Sequence, residues 1–136
     1  MSSRAFIIHD IDQATTALSA AAEFGVPVIL RSAPGAAAAI GAMVFVRIIE
    51  QARAAVPDAV SQAVLDCGSD PGFALNALRH GVEGVYCDVS DDVRRRLADI
   101  AAGGGATIDT DRAPALDLAT VADHLAACRD WLAETD

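Results

Sequence analysis

Short apolar runs recur along the chain at regular intervals: Ala5-Phe6-Ile7-Ile8, Val26-Pro27-Val28-Ile29-Leu30, Gln62-Ala63-Val64-Leu65, Gly84-Val85-Tyr86-Cys87 and Ala106-Thr107-Ile108. Each is mostly apolar without polar alternation and rich in branched side chains, which predicts central strands of a parallel sheet, buried on both faces. The stretches between them carry helical periodicity. Over residues 11–24, Ile11, Ala14, Leu18 and Ala21 or Ala22 share one stripe, and Gly25 follows as a stop. A second helix is expected over about 36–56. There Ile40, Met43, Val44, Phe45, Val46, Ile48 and Ile49 surround most of the circumference, so this helix needs burial on more than one side, against its own chain or a second copy.

The third helix opens at Ser69-Asp70-Pro71, a capping residue before a proline, and closes at Gly81. The fourth starts at Ser90-Asp91-Asp92 and stops at Gly103-Gly104-Gly105. That triple glycine precedes a strand, so it reads as a helix stop and not as a phosphate loop. The last helix is expected over about 117–133, with Leu118, Val121, Leu125, Cys128 and Leu132 inward and Trp131 covering an edge.

Five βα units with no linker or internal boundary predict a single α/β domain over residues 1–136. Five units cannot close a standard barrel, so the sheet is expected to be open, mainly parallel and doubly wound, flavodoxin-like in outline. The alternative is a truncated, half-barrel sheet related to the TIM barrel, with sequential strand order. Right-handed crossovers permit both.

Composition narrows the chemistry. Hydrophobic residues make up 53% of the chain but aromatics only 4%, so the core must be built from Ala, Val, Ile and Leu. The net charge of −9 argues against nucleic acid or an anionic membrane as partner; a cation or a neutral ligand is easier to accommodate, and a small-molecule ligand is expected. All ten basic residues are arginine, which removes Schiff-base lysines, a Walker lysine and the lysine of a receiver domain from consideration. Cys67, Cys87 and Cys128 are too widely spaced for a zinc motif and read as reduced thiols, and the opening residues carry no apolar signal region; a cytoplasmic location is the expectation.

In parallel α/β folds, ligands bind beyond the carboxyl ends of the strands. The first strand is followed by His9, Asp10 and Asp12, and the second by Arg31, Ser32, Pro34 and Gly35. Asp66, Cys67, Gly68, Ser69 and Asp70 follow the third, Asp88, Ser90, Asp91 and Asp92 the fourth, and Asp109, Asp111 and Arg112 the fifth. Four of five strands thus end in aspartate. Asp70, Asp91 and Asp117 suit helix caps, whereas Asp10, Asp66, Asp88 and Asp109 end strands directly. Carboxylates that converge call for a bound cation or an arginine, or else shift their pKa values. Asp10, Asp88 and Asp109 are the candidate ligands of a divalent cation; an aspartate-rich set favours magnesium or manganese over zinc. His9 is a candidate base or ligand, with a hydrogen-bonded structural role as the plainer reading. Cys67 becomes a nucleophile only if its pKa falls, and the neighbouring aspartates oppose that.

The run from Ala5 to Ile8, then A-A-E-F-G-V-P-V-I-L at Ala21 to Leu30 with Ser32 and Gly35-Ala36, resembles the opening of class II fructose-bisphosphate aldolases. So does V-L-D-C-G-S-D at Val64 to Asp70, followed by A-L-R-H-G-V-E-G-V-Y-C-D at Ala77 to Asp88. The resemblance covers about residues 5–90. It implies a metal-dependent (β/α)₈ scaffold in which an Asp-His-Gly motif follows the third strand. Asp66 takes the place of the proton-transferring aspartate and Gly68 that of the glycine, while Cys67 stands where the family has its metal histidine. The later strands of such a barrel, with their ligands and phosphate contacts, do not fall within these residues.

Three functions compete. The first is a ligand-binding or regulatory module on an aldolase-like scaffold without full catalytic machinery, taking a small molecule through His9, Asp10, Arg31, Ser32, Gly35, Cys67, Gly68, Asp88, Ser90 and Asp109. The second is a lyase or isomerase acting on a small carbonyl compound, with Asp66 as acid and base and a divalent cation beside it. The third is a domain that assembles with itself or a partner through the second helix, and a homo-oligomer is expected.

Overall fold

The structure is a computed structural model that describes residues 3–110 and 112–134. Asp111, read above as following the fifth strand, and residues 1, 2, 135 and 136 lie outside the described residues. The chain forms two compact units, Met1–Arg31 with Ile48–Gln62 and Ala113–Asp136, and Ser32–Arg47 with Ala63–Arg112.

In the first unit, strand β1 (Arg4–Ile7) lies parallel to β2 (Val28–Arg31), with Phe6 opposite Leu30 and Ile7 opposite Arg31. Helix α1 (Ile11–Phe24) connects them as the apolar stripe predicts. Its first turn is closed by Asp10, which accepts from the Gln13 amide, and its last by Gly25. Phe6, Ala14, Ala17, Leu18, Val28, Leu30, Leu118 and Cys128 are buried among its core residues.

In the second unit, helix α2 (Ala36–Ala39) leads to α3 (Gly41–Ala55), whose later part belongs to the first unit. Strand β3 (Ser61–Asp66) likewise begins in the first unit and ends in the second. It is followed by α4 (Pro71–Arg79), β4 (Gly84–Tyr86), α5 (Asp91–Gly103) and β5 (Thr107–Ile108). Asp70 caps α4 and Ser90 caps α5, as their positions predict. Leu65 lies opposite Val85, and Val85 opposite Ile108. Phe45, Leu65, Cys67, Ala74, Ala77, Val85, Cys87 and Leu97 are buried in this unit.

Together with β6 (Ala115–Asp117), the strands form an open parallel α/β sheet in the order β5-β4-β3-β2-β1-β6. The open parallel class is as expected. Within it the order runs sequentially from β1 to β5, as in the half-barrel alternative. The flavodoxin order, which sets the first strand between the second and third, is not adopted. Successive crossovers therefore step in one direction.

Two element boundaries differ from the expectation. The helix predicted over 36–56 breaks after Ile40, because Gly41 adopts φ 82°, a left-handed conformation that ends α2 before α3 starts. The segment from 115 is not a single helix: it enters as β6 beside β1, turns through a 3₁₀ segment at Leu118–Thr120, and only then forms α6 (His124–Ala133). Asp117 and Asp123 drive this division, each accepting from a backbone amide two or three residues on. Trp131 fixes α6 to β1 by donating from Nε1 to the Ala5 carbonyl at 3.0 Å, with the Arg4 guanidinium 4.6 Å from its ring centroid. Among the described residues no helix is long and apolar enough to cross a membrane.

Candidate functional site

The last residue of β3 is Asp66, and its carboxylate is only 7% exposed. A buried carboxylate must find donors, and this one has three. Oδ1 accepts from the Gly35 amide at 3.1 Å and from the Gly68 amide at 2.8 Å, and Oδ2 accepts from Arg112 Nη2 at 3.0 Å. The Asp66 amide donates to Ser32 Oγ at 2.9 Å, and that hydroxyl donates to the Ala33 carbonyl at 3.1 Å. The loop after β2 is thereby tied to the end of β3. Gly35 meets Asp66 at φ 69°, where a side chain is strained, which is why glycine serves at this contact.

Arg112 completes the arrangement. Its guanidinium lies 3.7 Å from the ring centroid of Tyr86, and Nη1 is 3.5 Å from Asp109 Oδ2. Tyr86 is the register partner of Asp66 on β4, so both side chains leave the same face of the sheet. One planar cation is therefore stacked on an aromatic ring and faced by two carboxylates. Arg112 is thus the cation that Asp66 and Asp109 share.

The remaining candidates take other partners. Asp88 and Ser90 are exposed; the Asp88 amide donates to the Gly68 carbonyl at 2.7 Å, and Ser90 caps α5. Asp10 is the cap of α1. His9 shares a hydrogen bond with Asp117 through Nε2 at 2.8 Å, and Arg31 donates from Nη1 to the Ala113 carbonyl at 2.6 Å, both within the first unit. Arg112 enters the sequence reading only as a residue following the fifth strand and Tyr86 only as part of the fourth, neither as a site candidate. The available signal was the arginine three positions after Asp109 and the single tyrosine at a strand end.

Cys67 comes directly after the last residue of β3. It is 2% exposed, and its thiol is pushed up to about 12 by burial first, then by Cys87 and Asp66. Burial likewise raises Cys87, with Asp70, Asp66 and Asp88 adding to the effect and Arg94 opposing it. Metal coordination requires the thiolate, and this environment favours the thiol. Among the described residues no group of three or more His, Cys, Asp and Glu is placed to hold a metal ion. The donor set therefore does not fit the divalent cation that the resemblance implies: the histidine position holds a protonated thiol, and Asp66 already faces a cation of its own.

Comparison with curated proteins finds no match. Residues 2–96 of the 136 match the family described as fructose-bisphosphate aldolase class-II, a span that contains β1 to β4, Asp66, Cys67 and Gly68. On that match, the chain belongs to the class-II fructose-bisphosphate aldolase family.

Proposed function

We propose that the chain is a ligand-binding module on an aldolase-family scaffold, in which Asp66 serves as an anchor of the site and not as a metal-assisted acid and base. The observation that carries this reading is the engagement of the Asp66 carboxylate by two backbone amides and Arg112. A proton carrier needs a free lone pair facing its substrate, and a metal site needs anionic donors not already neutralised. The ligand is a small molecule bound at the carboxyl end of β3, and the net charge of −9 disfavours nucleic acid and anionic membrane as partners. Homo-oligomerisation belongs to the same proposal and draws support from the exposed Ile40, Met43 and Val44.

The second reading, a metal-dependent lyase or isomerase acting on a small carbonyl compound, is favoured by the presence of Asp66 itself at the family's proton-transfer position. An aldol-cleavage assay separates the two. Purified protein with fructose 1,6-bisphosphate and magnesium, manganese or zinc is expected to give no cleavage above the protein-free rate. Cleavage that a chelator removes and Asp66→Asn abolishes would establish the enzyme instead.

A further inference from the structure

We propose that Asp66, Asp109 and Tyr86 form a guanidinium-binding site, that Arg112 is its tethered occupant, and that the ligand is a small molecule whose guanidinium or amidinium head displaces that side chain. Three features define the site. The Asp66 carboxylate is 7% exposed and is held in place by the Gly35 and Gly68 amides, so it is preorganised whether or not the cation is present. The Tyr86 ring offers a face that a planar cation covers at 3.7 Å. Asp109 supplies a second carboxylate 3.5 Å from the other terminal nitrogen. An ammonium ion would satisfy the charges but would leave the ring face unstacked, so the geometry selects a flat, delocalised cation.

The occupant is held differently from its site. Arg112 is 31% exposed along its side chain and lies in the connection after β5, outside any helix or strand, whereas Asp66 and Tyr86 end adjacent paired strands. Rotation of the side chain into solvent therefore frees the site without breaking a strand pairing. A tethered group competes at an effective concentration of roughly millimolar, so a bare guanidinium binds the unsubstituted protein weakly, and a ligand that displaces Arg112 must add contacts of its own. In this arrangement Arg112 acts as an autoinhibitory plug.

The inference rests on the ligand-binding reading above, and its test is independent of the aldol assay. Methylguanidinium chloride is titrated into the unsubstituted protein, Arg112→Ala and Arg112→Ala/Asp66→Asn by calorimetry, against sodium chloride at equal ionic strength. Saturable one-to-one binding is expected in Arg112→Ala, weaker by at least about tenfold in the unsubstituted protein and lost in the double variant. Arg112→Met, which keeps the aliphatic stem, is read in parallel in case the alanine variant does not fold. Thermal unfolding gives a second measure: methylguanidinium should raise the melting temperature of either single variant, while leaving unchanged or lowering that of the unsubstituted protein. Equal, unsaturable responses in all three proteins, with melting temperatures that fall alike, would overturn the guanidinium site and leave the aldol-assay result standing.

Discussion

At the scale of single residues, Asp66 at the end of β3 and Cys67 just after it have opposite fates. The Asp66 carboxylate is met by amides and a guanidinium, whereas the Cys67 thiol is buried, and burial, Cys87 and Asp66 all oppose its ionisation. The sign of the resulting pH dependence follows. In the unfolded chain thiols ionise from about pH 8.5, whereas the folded Cys67 holds its proton to about 12 and Cys128 to about 11. The stability these thiols contribute is complete below about pH 8.5 and declines as pH rises toward the folded values, by about 1.4 kcal/mol per pH unit for each group. Denaturant unfolding between pH 7 and 10.5 is expected to show this alkaline loss, with a shallower slope in Cys67→Ala. Identical slopes in the two proteins would remove Cys67 as a contributor. Asp66, Ser32, Gly35 and Gly68 are legible from sequence because each follows a strand end or sits on a matched motif. The role of Arg112 is not, because its partner lies 46 positions away and only the pairing of β3 with β4 and of β4 with β5 brings it to Tyr86 and Asp66.

At the scale of elements, apolar runs and caps identify β1 to β5, α1, α4 and α5 correctly, since branched runs and capping side chains act locally. The breaks at Gly41 and Asp117 are harder to read. A glycine inside a helical pattern is tolerated or is a stop depending on what packs around it, and the three residues of β6 take their conformation from pairing with β1. Phe45, Ile48 and Ile49 are buried, while Ile40, Met43 and Val44 remain 40%, 47% and 49% exposed. Met43 and Val44 on α3, with Ile40 at the break before it, are the side chains on which the proposed self-association rests. Sedimentation is expected to give a dimer or higher species that Met43→Glu shifts toward monomer. A monomer at all concentrations up to the millimolar range would rule out this role for α3.

At the scale of the whole molecule, the family match accounts for the scaffold, and the chemistry of this chain departs from what the resemblance implies. Where the resemblance implies a metal histidine, a buried thiol stands, and the neighbouring aspartate is neutralised from within by Arg112. With 19 acidic residues against 10 basic, weak and diffuse association of cations with the surface is expected in any case. The decisive question is whether Asp66 takes part. Calorimetric titration of magnesium, manganese and zinc into the unsubstituted protein and Asp66→Asn addresses it directly. The account predicts superimposable isotherms for the two proteins; a single saturable metal site present in the first and absent from the second would contradict it.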